Sequence, residues 1–238
     1  MTTRTFDLAA LDMAGTTVDE GGLVYDVLDR VVSDAVGHPV PHDLLARWKG
    51  TSKREAIAGL LAELGEPAET TRVDVVFADF VERLTTAYRD APPKPVAGIG
   101  ETFSALHEAG VKIALQTGYS SDIAQAILDG LGWTVGGYPS DTVDALITSD
   151  LVPASRPAPY LIYRCMEATG VTDVRRVLVA GDTPSDVLAG HNAAAGFVVG
   201  VLSGSFGAET LEQQPLTHIL PSAADVTQLL HGASVATR

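Results

Sequence analysis

Three apolar runs, Phe6–Leu11, Val111–Leu115 and Val177–Ala180, each give way at once to small and polar residues, reading DMAGTT, QTGYSS and GDTPSD. Short, near-continuous apolar segments separated by helical stretches are what strands buried on both faces look like, so a parallel sheet covered by helices is predicted. Ligand sites in such sheets lie beyond the carboxyl ends of the strands, and this topology carries all three polar clusters to one edge. Phe197–Val201 reads as a fourth strand and Thr217–Leu220 as a weaker fifth. At 238 residues the chain is long enough for one large α/β domain or for a core with a smaller satellite.

Residues 20–90 differ from the rest, with helical periodicity and no strand pattern. Periodic stretches run over Leu23–Val36, Pro41–Trp48, Lys53–Leu64 and Arg72–Tyr88. Gly50, Thr51 and Ser52 separate the second from the third, with Ser52 as N-cap and Glu55 completing a capping box. The Pro- and Gly-dense stretch Ala91–Gly100 reads as a return linker. A helical insert therefore interrupts the core between its first strand and its first core helix, which is expected over Gly98–Ala109 and stopped by Gly110. A last helix is expected over Pro221–Leu230, followed by a frayed tail.

A formal charge of -14 disfavours a nucleic-acid backbone or an anionic membrane as partner, while leaving room for a local basic pocket or a divalent cation. The lone cysteine, Cys165, excludes an intramolecular disulfide and a cysteine-based metal site, and a cytoplasmic location fits. The first residues lack the layout of a signal peptide, and no apolar stretch reaches the roughly 18 residues that span a bilayer.

Asp12, Asp182 and Asp186 fall where the sheet ends. Carboxylates gathered there repel one another unless a cation lies between them, and oxygen-only ligation points to Mg2+. The alternative is that Asp12 caps a turn and GDTPSD is an Asx-type loop. Gly15 and Thr16 offer an unencumbered backbone and a hydroxyl to an anion, as do Thr117 and Gly118 at the second strand end. Arg156, flanked in PASRPAP by prolines that stiffen the backbone, is placed either to neutralise a phosphoryl-type group or simply on the surface. Lys53 opens a helix in the basic segment KGTSKR, with Lys49, Arg47 and Arg54 nearby. Crowded cations and a helix N-terminus free an amine for Schiff-base chemistry, whereas a solvated basic patch attracts an anionic substrate; both readings stand. The histidines, His38, His42, His107, His191, His218 and His231, show no metal-ligand spacing. Tyr119 and Trp48 either line a pocket or pack.

Taken together, DMAGT at 12–16, TG at 117–118, Arg156 and GDTPSD at 181–186 resemble the haloacid dehalogenase superfamily over essentially the whole chain. DxAGT in place of DxDGT, Arg156 in place of a lysine, and Lys53 after Gly50 are similar specifically to the phosphonoacetaldehyde hydrolase (phosphonatase) family and its phosphonatase-like relatives. The resemblance implies a Rossmann-like core over residues 1–19 and 95–238 and a C1-type helical cap over 20–94. It further implies that Asp12 is the nucleophile, that Asp12, the Ala14 carbonyl and Asp182, supported by Asp186, hold Mg2+, and that Thr117 and Arg156 bind phosphoryl oxygens. Thr16, Gly15, Gly118, Tyr119, Lys49 and Gly50 would complete the site. Lys53 would form an imine with an oxoalkylphosphonate, and a homodimer would form through the cap, using the Leu23–Val31 helix.

Ala14 and Lys53 then belong to one mechanism. Direct C–P cleavage leaves a carbanion; a protonated imine beside that carbon is an electron sink, so no acid is needed at position 14. An ester phosphatase with alanine there forgoes general-acid help worth roughly 10²–10⁴-fold. A Mg-dependent phosphatase for small phosphate monoesters is the alternative activity. The chain departs from the phosphonatase pattern at Ala56, where a histidine is expected, at Lys49 for a methionine, and at Gly22 for a cysteine. Lys49 is the expected substitute for that histidine as the perturber of Lys53.

Overall fold

The computed structural model describes residues 4–231. Strand β1 (Leu8–Asp12) is wholly buried and leads into a short strand β2 (Val18–Asp19). Four helices follow: α1 (Leu23–Val36), α2 (His42–Arg47), α3 (Lys53–Glu63) and α4 (Thr70–Asp90). Strand β3 (Lys94–Pro95) then pairs antiparallel with β2. This two-stranded ribbon forms the neck of the helical insert, a pairing that the Pro- and Gly-rich linker hid from sequence reading.

The core resumes with α5 (Ile99–Glu108), β4 (Lys112–Gln116), α6 (Ser121–Leu131) and β5 (Ala145–Ile147). It continues through α7 (Tyr160–Thr169), β6 (Val177–Gly181), α8 (Pro184–Asn192), β7 (Phe197–Val201), α9 (Ala208–Leu211) and β8 (His218–Leu220). The main sheet is six-stranded in the order β5-β4-β1-β6-β7-β8, every pairing parallel. Each expected strand is present. Edge strand β5 is an addition, too short and too interrupted by Asp144 and Thr148 to register as an apolar run.

Alternation along these strands sorts their side chains onto two faces. Ala9, Leu11, Ile113, Leu115, Leu178 and Ala180 enter one core, and Leu8, Ala10, Ala114, Val177 and Val179 the other. Because both faces are filled, the strands read as continuous apolar runs. The chain winds outward from β1 in both directions, so the polar strand ends of β1, β4 and β6 adjoin at the point where the winding reverses. The fold is therefore a doubly wound α/β core with a helical cap inserted after its first strand.

Within the cap, Val24, Val27, Leu28, Val31 and Val32 form the buried stripe of α1, which packs on α3 and α4. The apolar face of the Leu23–Val31 segment is thus covered by the same chain. The expected C-terminal helix is a 3-10 segment, Ala223–Leu229. The Thr102 hydroxyl donates to the Ala224 carbonyl at 2.8 Å, taking an acceptor that an α-helix would use. Residues 232–238, read as a frayed tail, lie outside the described residues.

Phe80, fully buried in α4, stacks on Phe77 with ring centroids 6.2 Å apart. Truncation leaves a cavity where the cap helices meet, and Phe80→Ala is expected to lower stability by about 3–5 kcal/mol. A urea titration checks this through its midpoint.

Candidate active site

Asp12 is the last residue of β1, and the chain turns sharply after it. The Met13 carbonyl accepts from the amides of Thr16, Thr17 and Val18 at 3.1, 2.9 and 2.8 Å. The Thr17 hydroxyl donates to the Asp12 carbonyl at 2.8 Å. Gly15 sits in this turn with φ +80° against the Asp182 carboxylate. The Thr16 hydroxyl donates to Asp182 Oδ1 at 3.4 Å, and the Ser205 amide donates to Asp182 Oδ2 at 2.6 Å.

Downstream of β6, GDTPSD is a helix start. Thr183 caps α8, Pro184 takes its first turn, and Asp186 closes the capping box. Asp186 Oδ2 accepts from the Thr183 amide at 3.1 Å and from its hydroxyl at 2.5 Å. The other oxygen, Oδ1, is in ionic contact with Arg156 and makes no directed hydrogen bond. Arg156 is itself buried, with Nη1 2.9 Å from Asp12 Oδ1.

Asp12, Asp182 and Asp186 each bring one carboxylate oxygen within 4.8 Å of the others, and all three are buried. Burial first and the neighbouring Asp12 charge second push Asp182 up to about 6. Three crowded carboxylates, one with a buried oxygen that makes no hydrogen bond, form a hard, oxygen-only donor set that fits a divalent cation.

Lys53 arrives from the cap at the first turn of α3. The preceding loop is pressed onto the core at two glycines. Gly50 has φ +82°, and a Cβ there would overlap the Thr183 hydroxyl; a Cβ on Gly118 would overlap the Thr51 carbonyl. The Ser185 hydroxyl donates to the Lys49 carbonyl at 3.2 Å, and the Gly50 amide donates to the Tyr25 hydroxyl at 3.1 Å. This docking buries the Lys53 amine, which is held by the Thr51 carbonyl at 3.1 Å. The rings of Tyr25 and Tyr119 lie 5.0 and 5.5 Å from Nζ. Burial and then the Arg156 charge bring the amine down to about 8, against the opposing pull of Glu20, Asp12 and Asp182.

The structure thus gathers Asp12, Thr16, Gly15, Asp182, Asp186, Arg156 and Lys53 at one edge. Thr117 follows β4 there, its hydroxyl accepting from the Tyr119 amide at 3.1 Å. The expected cause of the Lys53 shift needs correction. Arg47 and Arg54 pair with Glu63 and Asp74, and Lys49 shares the Tyr25 ring with Lys53, 4.8 Å from its centroid, and lies 5.9 Å from that of Phe206. Burial and Arg156 are the leading causes, not the neighbouring cap cations. The expected capping box at Ser52 is half present: Ser52 accepts from the Glu55 amide, whereas Glu55 Oε1 accepts from the Ser155 amide at 3.5 Å. Trp48 packs over Gly59, with its indole N–H donating to Glu63. His107 pairs with Asp144 at 3.0 Å, away from the site.

Sequence reading passed over Glu20, Tyr25, Tyr88 and the Ser203–Ser205 loop. The loop had a signal, since the fourth apolar run also ends in small polar residues, LSGS. Glu20 and the tyrosines had none, because a glutamate before a helix and aromatics on apolar stripes read as capping and packing.

Residues 6–194 match the family described as haloacid dehalogenase-like hydrolase. A phosphonoacetaldehyde hydrolase of Parabacteroides distasonis is 31% identical over 207 residues, covering 82% of this chain and 75% of that protein. Among solved structures, a hydrolase from Pseudomonas syringae superposes with a TM-score of 0.77 at 21% identity, covering 94% of this chain and 96% of that one. A predicted phosphoglycolate phosphatase from Haemophilus somnus gives a TM-score of 0.71 at 18% identity, over 94% of this chain and 98% of the other. At such identities these two structures establish the fold alone. With the acidic cluster at the sheet edge and the match over residues 6–194, the chain belongs to the haloacid dehalogenase-like hydrolase family.

Proposed function

We propose that this enzyme is a phosphonatase-like hydrolase that cleaves the C–P bond of a small 2-oxoalkylphosphonate such as phosphonoacetaldehyde. The observation that carries the proposal is the pairing of Ala14 in the Asp12 turn with the buried, low-pKa amine of Lys53 at the same edge. The similarity to the P. distasonis protein supports it.

In this reading Lys53 attacks the substrate carbonyl as the free amine and forms an imine with loss of water. Asp12 Oδ attacks phosphorus while the C–P bond breaks, and the bonding pair moves onto the protonated imine to give an enamine. Water then releases phosphate from Asp12, and protonation of the enamine carbon followed by imine hydrolysis frees the aldehyde and Lys53. Arg156, beside both Asp12 and Asp186, binds phosphoryl oxygens, as does the Thr117 hydroxyl; Gly15, Thr16 and Gly118 offer backbone amides and a hydroxyl to the same anion. Asp12, Asp182 and the Ala14 carbonyl, with Asp186 behind them, would hold Mg2+, whose charge would screen the nucleophile from the phosphonate. Lys49, Gly50, Gly22 and Tyr119 border the carbonyl end of the substrate.

Removing the metal has a signed consequence. A carboxyl raised by folding costs stability when ionised, above its folded value, and the cost is absent below the ordinary carboxylate value near 3.8. For Asp182 this cost grows as pH rises through about 6 and is offset by a bound cation. Mg2+ is therefore expected to raise the melting temperature more at pH 8 than at pH 5, read by differential scanning fluorimetry with and without EDTA.

Lys53→Ala is expected to abolish phosphate release from phosphonoacetaldehyde, a loss of at least about 10³-fold for a covalent catalyst. The wild-type rate should rise with pH through the Lys53 value of about 8. A phosphate-release assay on both proteins, over a panel of phosphonates and phosphate monoesters, tests this. Equal turnover of monoesters by both proteins, with no phosphonate cleavage, would replace the proposal with a Mg-dependent phosphatase.

A further inference from the structure

Glu20 has no part in the steps above, yet its carboxyl group is held with care. Three donors converge on Oε2: the Tyr88 hydroxyl at 2.6 Å, the Val24 amide at 3.1 Å and the Tyr119 hydroxyl at 3.4 Å. Oε1 takes no hydrogen bond among the described residues. Glu20 lines a cleft of about 370 Å³ together with Ala14, Gly22, Tyr25 and Lys49. The phenols of Tyr88 and Tyr119 are 3.1 Å apart, and the Tyr119 ring lies 5.5 Å from Lys53 Nζ. One oxygen is thus anchored and the other left free, and two tyrosines connect the group to the amine that the reaction uses: Tyr119, bonded to Oε2, and Tyr25, which lines the same cleft and has its ring 5.0 Å from Nζ.

We propose that Glu20 is the proton-transfer residue of the Lys53 imine chemistry, acting through Oε1 on the substrate oxygen that enters and leaves as water. This rests on the Schiff-base reading above. Lys53 Nζ bonds to the carbonyl carbon, the C=O π pair goes to oxygen, and a proton passes from nitrogen to that oxygen, giving a carbinolamine. Glu20 then gives its proton to the hydroxyl as the C–O bond breaks; water leaves, the nitrogen lone pair forms C=N, and Glu20 becomes a carboxylate. At the end of the cycle water adds to the C=N carbon and gives a proton back to Glu20, so the acid is restored.

Several observations converge. Ala56 is fully buried and brings no proton-carrying group to the α3 side, where the resemblance led one to expect a histidine. The titratable groups around Glu20 are Tyr25 on α1, Lys49 in the loop before α3, Tyr88 on α4 and Tyr119 after β4, and the charge of Lys53 on α3 acts on it. Burial holds all three phenols above their ordinary value, so they stay protonated, and Tyr88 and Tyr119 serve Glu20 as donors. Burial also raises Glu20 above the ordinary carboxylate range, against the hydrogen bonds and the Lys53 charge. Asp19 and Asp26 line the same cleft. They hold no tyrosine hydrogen bond among the described residues.

The test is the rate at which borohydride traps a Lys53 adduct with phosphonoacetaldehyde, measured by mass spectrometry across pH on the Mg2+-loaded protein. Wild type is expected to trap with a two-limbed pH profile. Glu20→Gln should trap roughly 10²–10⁴-fold more slowly and lose one limb. Tyr88→Phe removes a hydrogen bond that favours the carboxylate, so the Glu20 limb should move to higher pH; this variant decides the matter if Glu20→Gln does not fold. Trapping by Glu20→Gln at the wild-type rate with both limbs intact, or an unmoved limb in Tyr88→Phe, overturns the proposal. No adduct in wild type overturns the Schiff-base reading itself, a result distinct from either.

Discussion

Three carboxylates and one guanidinium, Asp12, Asp182, Asp186 and Arg156, are held out of water at the edge of a single sheet. Like charges do not assemble in this way unless the backbone leaves them no alternative. The parallel sheet supplies that compulsion, because Asp12 ends β1 and Asp182 directly follows β6, its hydrogen-bonded neighbour. Asp186 is fixed by the capping box of α8, which ties up one oxygen and leaves the other turned to Arg156. The cost of gathering these charges shows in the raised Asp182 and is offset by a cation between the carboxylates.

The cap adds what the core lacks. The core edge is acidic and electrophile-seeking; the cap brings an amine and an aromatic wall. Gly50 and Gly118 make this possible by letting backbone meet backbone where a side chain would hold the two parts apart. The same close docking dehydrates Lys53, so the contact that assembles the site also tunes its amine. Lys49 stays at the cleft over Tyr25, and Glu20 closes the other side with Tyr88 and Tyr119. The side chains that meet at the cleft thereby come from elements far apart in the chain.

Much of this was legible in advance for physical reasons. Strands buried on both faces have to be apolar throughout, so β1, β4, β6 and β7 announced themselves, while β5, three residues long between polar neighbours, did not. The insert was legible because helical period replaces strand period after Asp19. A lowered pKa for Lys53 was one of two readings the sequence left open, and the cause attached to it was misassigned: Arg47 and Arg54, near Lys53 in sequence, turn on the folded cap to Glu63 and Asp74. The half-formed capping box at Ser52 has the same origin, since Glu55 turns to Ser155, 100 residues away.

The chain's own order of residues determined the strand ends, and with them the residue types that meet at the catalytic edge, because topology converts consecutive strand ends into neighbours. It also determined that no carboxylate stands at position 14. Only the tertiary structure decided how the cap sits on the core, and hence that Lys53 is dry, that Tyr25 and Tyr119 flank it, and that Glu20 keeps one oxygen free. Burial and long-range hydrogen bonding depend on distances between residues remote in sequence, and no local pattern encodes them.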